Sequence, residues 1–478
     1  MAALRAAFLG VLVAAVGSFV YNDPLALRQP VDVSPVPLPP RAVPAASDPS
    51  NRLASAEIKY LHEGIGPESL AVDTSGRGPY SGLADGRVVR RSADGSQWVP
   101  FAQASPNRTP QLCDILPKSH PDPSKEPLCG RPLGLRFHPV TGELYIADAY
   151  YGLNRVGLKG GLAEQLVGGK SVDGQKVSFV NDLDIDAEDA NGTVYFTVTS
   201  TKYEMRNFLS MILDGGANGG VYKYDVATGE VTQLVAGVAF ANGIALSADR
   251  SFLVYCETIR ARCNRYWLTG SKAGSHEVMV DLPGVPDNPR LNPRGRFWIA
   301  MPAYRTSAYG SGILSPVPLS LLMLLPSHFV CHHSPPLPRS SSPCYHLKPP
   351  RPSPSSLPPT PTLMLSPPHF LPLPLPTPIS PASPDFLART PRLRSILLRL
   401  HLHPLLLYAG IFGLPNGVIA EVDSSGQITE ILEDRAGKRV QAPSEVMERD
   451  GKLWIASLIV PHLAVLDYSP GGSTSATA

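Results

Sequence analysis

The chain has 478 residues, enough for two or three ordinary domains or one large β domain. Lys and Arg number 42 against 40 Asp and Glu, a formal charge of +2, which gives no sign of a nucleic-acid partner, because such binders concentrate a basic excess on one face. Apolar residues at 43% and aromatics at 7% suffice for a core, while 52 prolines and 41 glycines argue against a mainly helical protein.

Residues 1–21 place one arginine ahead of an apolar run from Ala6 to Tyr21, with the small residues Ala15, Val16 and Gly17 inside it. This is the pattern of a signal peptide. The run falls somewhat short of the roughly 20 residues of a full span, so an uncleaved signal anchor is the alternative. The Pro-rich residues 22–52 would then tether the chain to a membrane. A secretory destination (endoplasmic reticulum, vacuole or extracellular) agrees with two glycosylation acceptors, Asn107-Arg-Thr109 and Asn191-Gly-Thr193. It agrees also with Cys113 and Cys129, whose disulfide would close a 16-residue separation and stabilise by roughly 3 kcal/mol. Cys256 and Cys263 are either a second pair or buried thiols.

The ordered chain is read as residues 53–312 and 392–470, with a disordered tail at 471–478. Within it Gly142-Glu-Leu-Tyr-Ile-Ala-Asp148, Gly192-Thr-Val-Tyr-Phe-Thr-Val198, Ser251-Phe-Leu-Val-Tyr-Cys256, Gly295-Arg-Phe-Trp-Ile-Ala300 and Gly451-Lys-Leu-Trp-Ile-Ala456 each set a turn residue before a short β-branched and aromatic run. Their centres Tyr145, Tyr195, Val254 and Trp298 stand 50, 59 and 44 residues apart. Trp454 follows Trp298 by 156 residues, or by 77 without the block described next. With a further unit led by Ser69-Leu-Ala-Val-Asp73, the period predicts an all-β, six-bladed propeller of about 55 residues per blade.

The block runs from Ile313 to Pro391 and holds 23 prolines in 79 residues with a single acid, Asp385. Each proline removes a donor and restricts the residue before it, so the block predicts a disordered insertion between late blades. Its Pro, Leu, Ser, Phe and His are also what pyrimidine-rich codons encode, so a translated intron is the competing reading. Neither carries chemistry, and Cys331 and Cys344 fall inside it.

Gly66-Pro-Glu-Ser69, Cys129-Gly-Arg-Pro-Leu-Gly134, Tyr145-Ile-Ala-Asp-Ala-Tyr150-Tyr-Gly-Leu153, Asn181-Asp-Leu-Asp-Ile-Asp186 and Arg265-Tyr-Trp-Leu268 together resemble the strictosidine synthase-like proteins of plants, kin to the animal adipocyte plasma membrane-associated protein. The resemblance covers nearly all of the chain outside its termini and the Pro-rich block. It implies the same six-bladed ring, and it makes Leu393 to Leu407 a helical excursion between late blades.

In such a ring the inner strands converge on an axis. One polar residue near the start of each can face a common centre. Glu68, Asn181, Asn242 and Asp287, with Asn288 beside it, stand at such places. Carboxylate and amide oxygens suit calcium, which accepts six to eight hard ligands. The same positions look like the calcium ligands of paraoxonase and regucalcin, propellers that hydrolyse esters and lactones. The resemblance therefore implies a calcium-dependent hydrolase of a small molecule, with Asp287 as ligand and base or nucleophile and Asp182 in reserve. A second reading is strictosidine synthase-type condensation of an amine with an aldehyde, which requires a glutamate in the last blade. Aligned on Glu448-Arg-Asp-Gly451, that position holds Ser444, and strand alternation predicts that Glu445 faces away from the channel. A third is a binding propeller without turnover. Tyr145, Tyr150 and Tyr151 read as inter-blade packing or channel mouth, and Arg260, Arg262 and Arg265 as a solvated strand edge.

Overall fold

The computed structural model describes residues 47–115, 121–168, 171–172, 175–177, 179–187, 192–304 and 416–470. The proposed signal segment, Asn191, the Pro-rich block, Leu393 to Leu407 and the tail lie outside them.

Six sheets form the ring, antiparallel throughout except for a short parallel edge strand, Gly161–Leu162, added to blade 1. The innermost strands are Leu70–Ala71, Pro132–Phe137, Val180–Asp186, Ala241–Leu246, Pro289–Leu291 and Pro443–Arg449 for blades 1 to 6, the first strand in sequence in blades 1 to 5. Consecutive inner strands touch, and that of blade 6 returns to that of blade 1. The runs legible in the sequence are the second strands: Leu144–Asp148, Thr193–Val198, Phe252–Glu257, Phe297–Met301 and Lys452–Ser457. Every residue of Leu144–Asp148, Phe252–Glu257 and Phe297–Met301 is buried. A second strand is covered by a blade on both faces, so it reads as a continuous apolar run rather than an alternating one.

The core is accordingly divided into six apolar layers, one between each pair of neighbouring blades. Tyr145 and Phe196 lie in the layer between blades 2 and 3, Phe252 and Phe297 between blades 4 and 5, and Trp298 and Ile455 between blades 5 and 6. The other three layers join blades 3 and 4, 1 and 2, and 6 and 1. Tyr145, fully buried, is therefore packing and does not line the mouth.

The ring closes by mixing its ends. Glu57–Lys59 is the outermost strand of blade 6, pairing Glu57 with Val465, Ile58 with Ala464 and Lys59 with Leu463. Blade 5 corrects one expectation. Its second strand Phe297–Met301 pairs directly with Gly417–Val422, so residues 305–415 depart from and return to the interior of one blade. The Pro-rich block thus interrupts blade 5 and does not separate two blades.

Both cysteine pairs are disulfides. Cys113 and Cys129 join two short helices, Pro110–Cys113 and Glu126–Cys129, and Cys256 and Cys263 are direct cross-strand partners. Arg260 and Arg262 are not a free edge: both pair with the buried Glu257 (2.8 and 2.7 Å). Arg265 lies over the Phe252 and Trp267 rings.

Candidate functional site

The inner strands start irregularly, and this aims the site. Pairing with the second strand slips between Val180 and Leu183, between Ala241 and Ile244, and between Pro443 and Glu445. An extra residue at such a bulge leaves the ladder and turns a side chain that strict alternation would place elsewhere. Asn181 and Asn242 occupy two of these slips, inside their strands. Glu68 and Asp287 stand just ahead of theirs, Glu68 donating its N–H to Gly82 O (3.2 Å) and Asp287 to Ala300 O (2.8 Å). Glu68, Asn181, Asn242, Asp287 and Asn288 are all buried.

Second-sphere groups orient them. Thr258 donates its hydroxyl to Pro286 O (2.7 Å) and so accepts from Asn242 Nδ2 (2.9 Å). This fixes which end of the Asn242 amide is the donor and leaves Oδ1 free. Glu68 Oε2 and the Oδ1 atoms of Asn181, Asn242 and Asn288 have no hydrogen-bond partner, four orphaned hard oxygens in an interior where an unpaired polar atom is costly.

The carboxyls feel one another. Burial, and then the charge of Asp287, push Glu68 well above the usual carboxylate range, with Arg131 opposing. Burial, and then the charge of Asp182, push Asp287 up as well, opposed by a hydrogen bond from Asn242 and by Arg290. Side chains from blades 1 and 5 therefore share one electrostatic centre.

Beneath this layer lies a residue that the sequence reading did not single out. Arg290, on the inner strand of blade 5, reaches across the axis to blade 3, where its two terminal nitrogens meet both oxygens of Asp182 (2.6 and 2.8 Å). It also pairs with Glu445 of blade 6 and donates to Ile244 O of blade 4 (3.4 Å). Glu445 accepts from Leu70 N of blade 1 (2.9 Å), and Gly134 of blade 2 packs so tightly on Asp182 that a Cβ there would lie 2.7 Å from its Cα. All six inner strands meet at this plug. Arg290 keeps its charge, held above its ordinary range by Asp182 and Glu445 against the effect of burial.

Two expectations change here. Asp182, clamped by Arg290 and by Ile244 N (2.8 Å), is committed to holding the plug and has no oxygen aimed at a reactant. Glu445 does not face away: the slip beside Ser444 breaks the alternation that the one-residue argument assumed, and its carboxylate lies at the axis. Ser444 is fully buried and spends its hydroxyl on Glu68 O (2.7 Å), which ties blade 6 to blade 1.

The donor set fits a hard divalent cation. Four buried carboxylates (Glu68, Asp182, Asp287, Glu445) stand against two buried guanidiniums (Arg131, Arg290), an excess of two negative charges when all are ionised. No group of three or more His, Cys, Asp or Glu side chains forms a ligand cluster among the described residues.

Over the mouth lies an apolar cluster of Leu133, Ala149, Phe179, Met205, Met211 and Phe240, flanked by Tyr150, Ile259 and Leu458. Part of it comes from the helix Phe208–Asp214. Tyr151 is tied to Ser105 and does not enter it (2.9 Å). Asn107 is exposed on the surface.

The strictosidine synthase family model matches residues 181–271, and the strictosidine synthase-like N-terminal model matches residues 48–91. Strictosidine synthase-like protein 3 of Arabidopsis thaliana is 36% identical over 434 residues, 90% of each chain. Strictosidine synthase-like protein 10 of the same plant is 37% identical over 426 residues, 89% of this chain and 91% of that one. The adipocyte plasma membrane-associated protein of Gallus gallus is 36% identical over 279 residues, 58% of this chain and 63% of that one. Among solved structures, a gluconolactonase of Xanthomonas campestris overlaps 92% of this chain and 96% of its own at a TM-score of 0.47 and 12% identity, too distant for any activity to be carried over.

Proposed function

Because the chain belongs to the strictosidine synthase-like family, we propose that its ring is a calcium-dependent hydrolase of small esters or lactones, of arylesterase type. The observation that carries this reading is the set of four buried, partnerless oxygens on Glu68, Asn181, Asn242 and Asn288, with Asp287 raised by burial and coupled electrostatically to Glu68. These residues would hold the calcium, which would supply Lewis acidity at a carbonyl oxygen. Asp287 receives the proton of the attacking water, a task suited to a carboxyl whose basicity has been raised by burial. Asn242, fixed by Thr258, holds Asp287 in place, and the Arg290 plug fixes the floor.

The test is hydrolysis of aryl esters by purified protein with and without chelator. Activity should vanish on chelation, return with calcium, and be lost together with calcium binding in Glu68→Gln and Asp287→Asn. Unchanged turnover in either variant would overturn the assignment. Condensation of an amine with an aldehyde by the same preparation would select the strictosidine synthase reading, which Ser444 disfavours. Calcium binding with no turnover over a broad ester and lactone panel would select a binding module.

We place the protein in the secretory pathway, supported by its two disulfides and the exposed Asn107. No helix among the described residues is long and apolar enough to cross a membrane.

A further inference from the structure

Resting on the hydrolase reading, we propose that Arg131 is an anion-recognition residue at the mouth, so that the preferred ester or lactone carries a carboxylate on its acyl side. Arg131 is only 2% exposed, yet Nε and Nη1 have no partner. Its single side-chain hydrogen bond runs from Nη2 to Leu458 O (3.1 Å), and it forms no ion pair among the described residues. A buried guanidinium normally satisfies its donors with a carboxylate or a phosphate, because leaving the charge unpaired is costly.

The nearby acids are otherwise engaged. Asp148 accepts backbone N–H groups from Arg131, Tyr150 and Tyr151 (each 2.9 Å). Glu126 accepts the Tyr150 hydroxyl (2.6 Å). Glu68, Glu126 and Asp148 all act on Arg131 electrostatically without pairing with its guanidinium, and Glu68 belongs to the candidate cation shell.

The guanidinium is also placed for a ligand. It lies between Leu458 of the blade 6 loop and Gly66, the residue two before Glu68. At Gly66 a Cβ would come within 2.8 Å of Nη2 and 2.4 Å of Leu458 O, at a φ of +65°. Glycine there lets the guanidinium settle over the backbone beside the cation shell. Leu458 and Leu133 belong to the apolar cluster over the same mouth. An acyl chain would therefore lie against apolar walls with its distal carboxylate on Arg131 and its carbonyl toward Asp287.

The experiment compares 4-nitrophenyl hexanoate with the 4-nitrophenyl monoester of adipic acid, equal in acyl length and differing in the terminal carboxylate. Wild-type protein should favour the adipate ester. Arg131→Met should lower kcat/KM on it by roughly ten-fold or more beyond any loss on the hexanoate ester, chiefly through KM, the loss of a charge-assisted hydrogen bond; the hexanoate ester reads what the change of charge beside Glu68 costs on its own. Arg131→Lys should retain part of the preference. Equal losses on both esters, or none on either, would overturn the proposal. Free adipate, with calcium present, should raise the Tm of wild type but not of Arg131→Met. If neither ester is hydrolysed, the hydrolase reading fails while the adipate shift still decides whether Arg131 binds an anion. If Arg131→Met does not fold, Arg131→Lys and competition by adipate against hexanoate in the wild type decide it.

Discussion

Glu68 and Asp287 hold their protons more tightly in the folded ring than in the unfolded chain, where they titrate near 4.5 and 3.8. A raised carboxyl binds more protons folded than unfolded, so its contribution falls as pH climbs from the unfolded value toward the folded one. Calcium bound at these carboxyls, as proposed, would compete with those protons. The gain in Tm on adding calcium should therefore grow as pH is raised from about 4 through neutrality, and scanning calorimetry in chelator and in calcium measures it. A gain that is flat with pH would mean that these carboxyls do not bind the ion. Glu68 and Asp287 stand just ahead of an inner strand, and Asn181 and Asn242 are the second residues of theirs, polar places that sequence alone marks. Arg290 was not so marked, because its partner Asp182 is 108 residues away and only ring closure brings them together. Thr258 escaped for the same reason: its bonds to Asn242 and Pro286 join two blades.

At the scale of elements, the second strands announced themselves by a turn residue before an unbroken apolar run. The inner strands did not. Leu70–Ala71 and Pro289–Leu291 are too short to show a period, and slips in the other four break alternation near their starts. Glu445 was misplaced for this reason, since one residue of bulge reverses a face argument. The Pro-rich block was recognised by composition, but its entry into blade 5 depends on the pairing of Phe297–Met301 with Gly417–Val422, which no local signal encodes. Replacing Cys113 and Cys129 together by serine should lower stability by about 3 kcal/mol through the unfolded chain, read as a shifted denaturant midpoint with little change in calcium affinity.

The whole molecule is held by closures, one at its rim and one at its centre. Removing residues through Lys59 unpairs Leu463, Ala464 and Val465 and should lower Tm markedly, whereas removing residues 1–46 touches no described pairing and should not. At the centre, Arg290→Met strands the buried Asp182 and Glu445 and should cost about 3–5 kcal/mol, measured by chemical denaturation. Adding Glu445→Gln should recover part of that loss, because the two residues share one charge balance. The guanidinium across the axis has a kinetic corollary. If the ring hydrolyses esters as proposed, a floor stoppered by Arg290 would make its centre a blind well, entered and left over the same lip; a spent acid lingering there would bar the next reactant, and product inhibition competitive with the ester is the expected kinetic signature.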